Sequence, residues 1–299
     1  SDVAEELKSR KHSFELFACG IRRFIIGLSK KVLIANTLGE LCDVFKASND
    51  KSVLFMWLYA VALCLHIYFD FSGYSDMAIG LGKIFGFNFL ENFNYPFISK
   101  TISEFWRRWH MSLSYWFRDY VYIPLGGSRV TRSRYIFNVF VVWFLTGFWH
   151  GAEWNFIFWG LYFCIFLTLE KFVLSKFLDK AKGIRHAYVL FFIVISFVIF
   201  DTEGLLEPFR AVSQLFGAGA MPLISDEFSY YLRSYAVTLA IAIIGATPLV
   251  KKLVLKVKLS PRGERFVNLL EIPVLIILFL TCTAYLVDGS YNPFLYFRF

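Results

Sequence analysis

Apolar positions along this chain fall in long unbroken runs, separated by short basic or aromatic-polar stretches. Runs of this kind predict membrane-crossing helices over 52–71, 188–200, 230–250 and 267–287. They are continuous rather than alternating, which excludes a β-barrel. Residues 135–149 and 154–169 read as the two arms of a hairpin. Each arm has 15 or 16 residues, so it reaches roughly 24 Å into a roughly 30 Å hydrocarbon layer. On that count the turn at His150-Gly151-Ala-Glu153 is expected at membrane depth, inside protein, where irregular backbone surrounds a cavity. The run 14–38 carries Arg22, Arg23, Lys30 and Lys31. Four cations in bare hydrocarbon are expensive, so an interfacial or re-entrant helix with snorkelling side chains is expected there.

Residues 103–119 predict one amphipathic helix. Ser103, Arg107, His110, Ser114 and Arg118 share a face, and Phe105, Trp109, Leu113, Trp116 and Tyr120 share another. Gly80, Gly82 and Gly86 are expected to loosen the helix that follows residue 71, and Pro96 stops regular structure. Pro124-Leu-Gly-Gly-Ser128 reads as a turn. Segment 201–227 reads as a mildly acidic loop and 251–265 as a basic cytoplasmic one. The aromatic tail 291–299 is expected at an interface, facing outward. These elements describe an all-α polytopic membrane protein.

Composition agrees: of 299 residues, 57% are hydrophobic, 20% aromatic and 18% charged, more apolar and less charged than soluble domains. The net charge of +8 would suggest nucleic acid in a soluble protein. Here the basic residues sit in clusters between apolar runs, as the positive-inside rule expects, and no nucleic-acid partner is expected. The five cysteines form no CxxC pair and read as small buried hydrophobes. HEXXH, P-loop and GxSxG motifs are absent, so neither metal nor nucleotide-hydrolysis chemistry is expected. The chain opens at Ser1 without Met or a signal peptide and reads as the C-terminal part of a longer membrane protein.

Two histidines carry the candidate chemistry. His150 closes an apolar run, and a buried neutral imidazole can take a proton from a hydroxyl and pass it on. A histidine satisfied by hydrogen bonds at a helix turn is the competing reading. His110 lies on a cationic stripe whose Arg107 and Arg118 suit either an anionic acyl donor or lipid headgroups. His66 reads as a core polar contact, and His12 and His186 as loop residues. Asp70, Asp76, Asp119 and Glu153 read mainly as partners of intramembrane cations.

Several stretches together resemble the membrane-bound O-acyltransferase (MBOAT) family. They are Gly27-Leu-Ser-Lys-Lys-Val-Leu-Ile-Ala-Asn36, Tyr68-Phe-Asp-Phe-Ser-Gly-Tyr-Ser-Asp-Met-Ala-Ile-Gly80, Asn94-Tyr-Pro-Phe97 and Phe105-Trp-Arg-Arg-Trp-His-Met-Ser-Leu-Ser114. Arg118-Asp-Tyr-Val-Tyr-Ile-Pro-Leu-Gly-Gly127, Gly147-Phe-Trp-His-Gly-Ala152 and the tail from Phe294 complete the set. The resemblance is nearest the branch of alginate O-acetylation membrane subunits, with teichoic-acid D-alanyl transferases as cousins. It implies a helical bundle with re-entrant and interfacial helices around a central funnel, within one domain over 1–299 that lacks the family's N-terminal spans. It implies His150 and His110 as catalytic residues, with Arg107, Trp106, Trp149, Ser114 and Asp76 binding substrate. No bound cofactor is implied. Acetyl-CoA is the implied acyl donor, a polysaccharide the acceptor, and a periplasmic or extracellular acetyltransferase the partner, in a bacterial inner membrane. A transporter of donor or glycan, or a scaffold subunit, remains the alternative of another class.

Overall fold

In the computed structural model the apolar runs become helices, and no strand occurs among the described residues, which are 6–7, 10, 12–181 and 183–289. The aromatic tail, with its expected interface position, lies outside them. Among the described residues three helices are long and apolar enough to cross a membrane: Val53–Ile84, Trp154–Leu178 and Pro261–Asp288. Chain contacts gather into two units. Of the described residues, one unit holds those up to 41, 65–92 and 236–289, and the other 42–64 and those within 93–235.

In the first unit, helix α1 (Phe14–Ser29) is capped by Ser13, whose hydroxyl accepts the Leu16 N–H at 3.1 Å. It runs through a π-helical turn, Lys30–Ala35, into α2 (Asn36–Ala47). The expected helix over 52–71 is longer than its apolar run. It continues as α3 (Val53–Ile84) and stops only where Gly86 takes φ +82°. The glycines in its second half do not loosen it. A Cβ on Gly20 would lie 2.6 Å from the Gly80 carbonyl oxygen, and one on Gly27 would lie 2.6 Å from that of Gly73. Glycine at both crossings is what lets the two backbones touch.

The same contact explains the cations of α1. Arg23 bonds Asp76 at 2.7 Å and Glu91 at 2.5 Å, Lys30 bonds Asp76 at 2.7 Å, Lys31 pairs with buried Asp70, and Arg22 pairs with Glu271. Each meets a carboxylate, so snorkelling is not what accommodates them. His66 Nδ1 lies 2.7 Å from the Ala35 carbonyl oxygen, the expected core contact. The basic stretch 251–265 is helical rather than a loop: Leu249–Lys258 is followed by Pro261–Asp288, with Pro261 in the first turn, where its missing N–H costs nothing.

In the second unit the expected hairpin is present, but its arms are not short. The first helix is Arg132–His150, of 19 residues. The second starts at Trp154 and continues through a π-helical turn, Glu170–Leu174, giving an apolar stretch of 25 residues to Leu178. These reach about 28 Å and about 37 Å, so arm length does not hold the His150 turn below the surface. The basic stretch from Lys171 to His186 reads as a loop in the sequence, yet its first part is helical. In the fold Glu170 is buried because its carboxylate serves another helix. The two arms touch at Gly147 and Gly160, where a Cβ would strike the backbone of Phe156 and of Trp143 respectively. The segment 230–250 breaks at Tyr235 into Asp226–Ser234 and Ala236–Gly245 instead of forming one helix. Segment 201–227 includes the helix Glu207–Gln214.

Candidate active site

The predicted helix over 103–119 is broken where its histidine sits. Its first piece, Ile102–Trp106, has Thr101 as N-cap, accepting the Glu104 N–H at 2.9 Å. Glu170 holds the same end. One carboxylate oxygen accepts the Ile102 N–H at 2.5 Å, and the other accepts the Ser103 N–H at 3.1 Å and the Ser103 hydroxyl at 3.2 Å. The chain then tightens, with both the Arg108 and Trp109 N–H groups donating to the Phe105 carbonyl. His110 follows at φ 44°, ψ 54°, and only then does the second piece, Met111–Phe117, begin. The left-handed region is costly for a residue with a Cβ, roughly 1–2 kcal/mol, and such strain collects at functional sites.

The break changes which residues share a face. Ser103 turns to Glu170, while Trp116 and Tyr120 are 52% and 70% exposed. Phe105 and Trp109 are buried. Arg107, His110, Ser114 and Arg118 still converge. With Trp106, Leu113, Phe117, Tyr122, Val142, Trp143 and Thr146 they line a cavity of about 190 Å³. The Ser114 hydroxyl reaches back across the break to the Trp106 carbonyl at 3.2 Å. His110 is 8% exposed. Burial first, and the nearness of His150 second, push its pKa well below the usual imidazole value and keep the ring neutral.

His150 is the last residue of Arg132–His150 and is partly buried. Its ring stands 5.0 Å from Trp149, 5.1 Å from Trp159, 5.2 Å from Phe200 and 6.3 Å from Phe156, centroid to centroid. Trp149 is also 6.0 Å from the His110 ring, so one indole neighbours both imidazoles. Gly151 permits the turn, since a Cβ there would strike the Phe156 ring. Of the expected site residues, Trp106, Arg107, His110 and Ser114 line the cavity. His150 and Trp149 adjoin it through aromatic contacts without lining it. Asp76 lies in the other unit, bonded to Arg23 and Lys30.

Sequence reasoning missed three contributors. Glu170 holds the helix that leads into His110. Trp159 packs between His150 and Trp106, whose rings are 5.1 Å and 5.5 Å away. Asn155, 2% exposed, donates to the Phe200 carbonyl at 2.8 Å and so holds the ring that faces His150. A carboxylate closing an apolar run was the only available signal for Glu170. An aromatic within a run of aromatics offers none for Trp159.

A family model described as MBOAT, membrane-bound O-acyltransferase family, matches residues 3–200. A protein of Azotobacter vinelandii named "Probable alginate O-acetylase AlgI" is 36% identical over 329 residues, covering 100% of this chain and 65% of that protein. A peptidoglycan O-acetyltransferase of Helicobacter pylori is 34% identical over 87% of this chain and 51% of its own length. A teichoic acid D-alanyltransferase of Bacillus subtilis is 36% identical over 57% of this chain and 46% of its own length. The chain therefore spans less than two thirds of each of these relatives.

Proposed function

This chain belongs to the membrane-bound O-acyltransferase family, and from that premise we propose that it forms the reaction chamber of an O-acetyltransferase acting on an extracellular or periplasmic polysaccharide. It is a multi-pass helical membrane protein, and the bacterial inner membrane is its proposed home. The observation that carries the reading is His110. A buried, neutral histidine is held in left-handed backbone, beside an indole shared with His150, on a cavity that also presents two arginines.

Acetyl-CoA is the proposed donor, its anionic part drawn to Arg107 and Arg118. The acceptor hydroxyl gives its proton to His150 as its oxygen attacks the thioester carbonyl carbon. The carbonyl electron pair moves to oxygen, then returns as the C–S bond breaks, and the thiolate leaves with the proton from the imidazolium. The products are an ester and a free thiol. The acceptor hydroxyl belongs to the glycan or to a periplasmic or extracellular acetyltransferase partner. The chain works in contact with membrane lipid, and Trp106, Trp149 and Ser114 shape the donor and acceptor paths.

His150→Ala in the full gene product, scored by acetyl content of the glycan, tests the reading. Loss of acetylation in a normally accumulating variant is expected, and unchanged acetylation would remove His150 from the chemistry. The D-alanyltransferase relative supports a second donor. Purified protein offered acetyl-CoA or an aminoacylated carrier protein separates the two. A transporter or scaffold would cleave neither.

A further inference from the structure

Among the buried donors of this unit that meet no acceptor are two indoles. The indole Nε1 atoms of Trp106 and Trp159 are both buried, and neither meets a hydrogen-bond partner. Their rings stand 5.5 Å apart at 83°. Trp106 lines the cavity beside His110, and Trp159, 3% exposed, is 5.1 Å from the His150 ring. An unmet buried N–H costs about 1–3 kcal/mol, and buried tryptophan ordinarily finds an acceptor. Phenylalanine would fill the same apolar space without that cost. Two such donors in one cluster, between the two histidines, point to an oxygen that arrives with the substrate.

We propose that the Trp106 and Trp159 indole N–H groups receive the thioester carbonyl oxygen of the acyl donor and hold its negative charge during transfer. The inference rests on the acyl-transfer reading above. When the acceptor oxygen bonds to the carbonyl carbon, the C=O electron pair becomes an oxyanion. Two N–H dipoles in a dry aromatic wall stabilise that charge with no reorganisation. Collapse restores the C=O bond and breaks C–S, which releases the donors. The apolar neighbours Trp143 and Phe163, 4.7 and 4.8 Å from Trp106, keep water away from the developing charge.

The test replaces N–H while keeping the ring. Trp159→Phe and Trp106→Phe are assayed in the full gene product with acetyl-CoA, and 3-benzothienylalanine at position 159 provides an isostere that keeps the indole shape without the donor. A fall in kcat of about 10²-fold is expected, the usual cost of one oxyanion donor, with KM nearly constant. S-ethyl-CoA, which lacks the carbonyl oxygen, should bind wild type and variants equally. Wild-type kcat in the benzothienyl variant would overturn the proposal and assign the orphan N–H to packing or to a buried water. So would weaker S-ethyl-CoA binding that accounts for the whole loss. Absence of acetyl-CoA cleavage by the wild type would overturn the parent reading instead.

Discussion

The hairpin packing makes Gly160→Ala the sharpest structural perturbation. A methyl group at residue 160 would lie closer than 3.0 Å to the Trp143 carbonyl oxygen, with the Gly147 Cα at 3.5 Å. The nearest obstacles are backbone, so no side chain can swing aside. Restoring an ordinary contact requires the arms to part by about 1 Å. Overpacking of this kind costs about 1–3 kcal/mol. The displacement passes to Trp143, whose ring is 4.7 Å from Trp106 and 5.9 Å from Trp159, and through Trp159 to His150. A 1 Å misplacement of reacting groups can cost about 10²-fold in rate. The assay is acetyl-CoA-dependent acetyl transfer in proteoliposomes, paired with thermal unfolding in detergent. The expected result is a lower melting temperature and a rate reduced ten- to a hundredfold. Gly183→Ala is the control, because nothing lies within 4 Å of a Cβ there, and it should leave both measurements near wild type. Wild-type rate and stability in Gly160→Ala would refute the reasoning from backbone contact.

Three further outcomes follow from geometry already described. His110→Asn should accumulate at the wild-type level, since Asn tolerates left-handed backbone, yet lose acetyl transfer by about 10²-fold or more; unimpaired transfer would make His110 structural. Glu170→Gln keeps the side-chain shape but turns one accepting end into a donor that faces N–H groups. It should cost about 2 kcal/mol and slow the reaction by disturbing the approach to His110, both read by melting and rate; no change in either would refute the clamp. Lys31→Met and Asp70→Asn should each destabilise by about 3–5 kcal/mol, because each leaves a buried partner uncompensated, while the double variant should cost far less than the sum. Additive melting shifts would show that the pair is not coupled.

Hydropathy made the helices legible, and the identity of their neighbours made the two histidines legible. Periodicity could not show the break at His110. A 4-3-4-4 spacing describes an intact helix, and nothing in it reports one residue at positive φ. Periodicity also missed that Arg107, Ser114 and Arg118 meet at a cavity by folding around the break, not by sharing a straight face. The length argument at 154–169 failed because the helix does not end at Leu169 but runs on through Glu170 to Leu178. The Glu170 carboxylate is satisfied by N–H groups of residues about seventy positions earlier, which only the tertiary fold reveals. Glycines 80 and 82 looked like weak points for a related reason. Sequence shows that a side chain is missing but not that another part of the chain occupies the space.

The contact between α1 and the second half of α3 bears on how such a chain can be made. Ribosomal synthesis delivers Arg22, Arg23, Lys30 and Lys31 before Asp70, Asp76 and Glu271 exist. Alone, those four cations would resist partitioning into lipid by roughly 10–14 kcal/mol on insertion scales. The first helix must therefore wait at the interface or in the translocon until its later-made counter-charges emerge. Once the pair closes, a slip of one turn, about 5.4 Å, would drive Cβ atoms into carbonyls and carry each cation past its carboxylate. Charge and glycine thus act like the notches of a vernier, allowing a single alignment and making the order of biogenesis a property written into the protein.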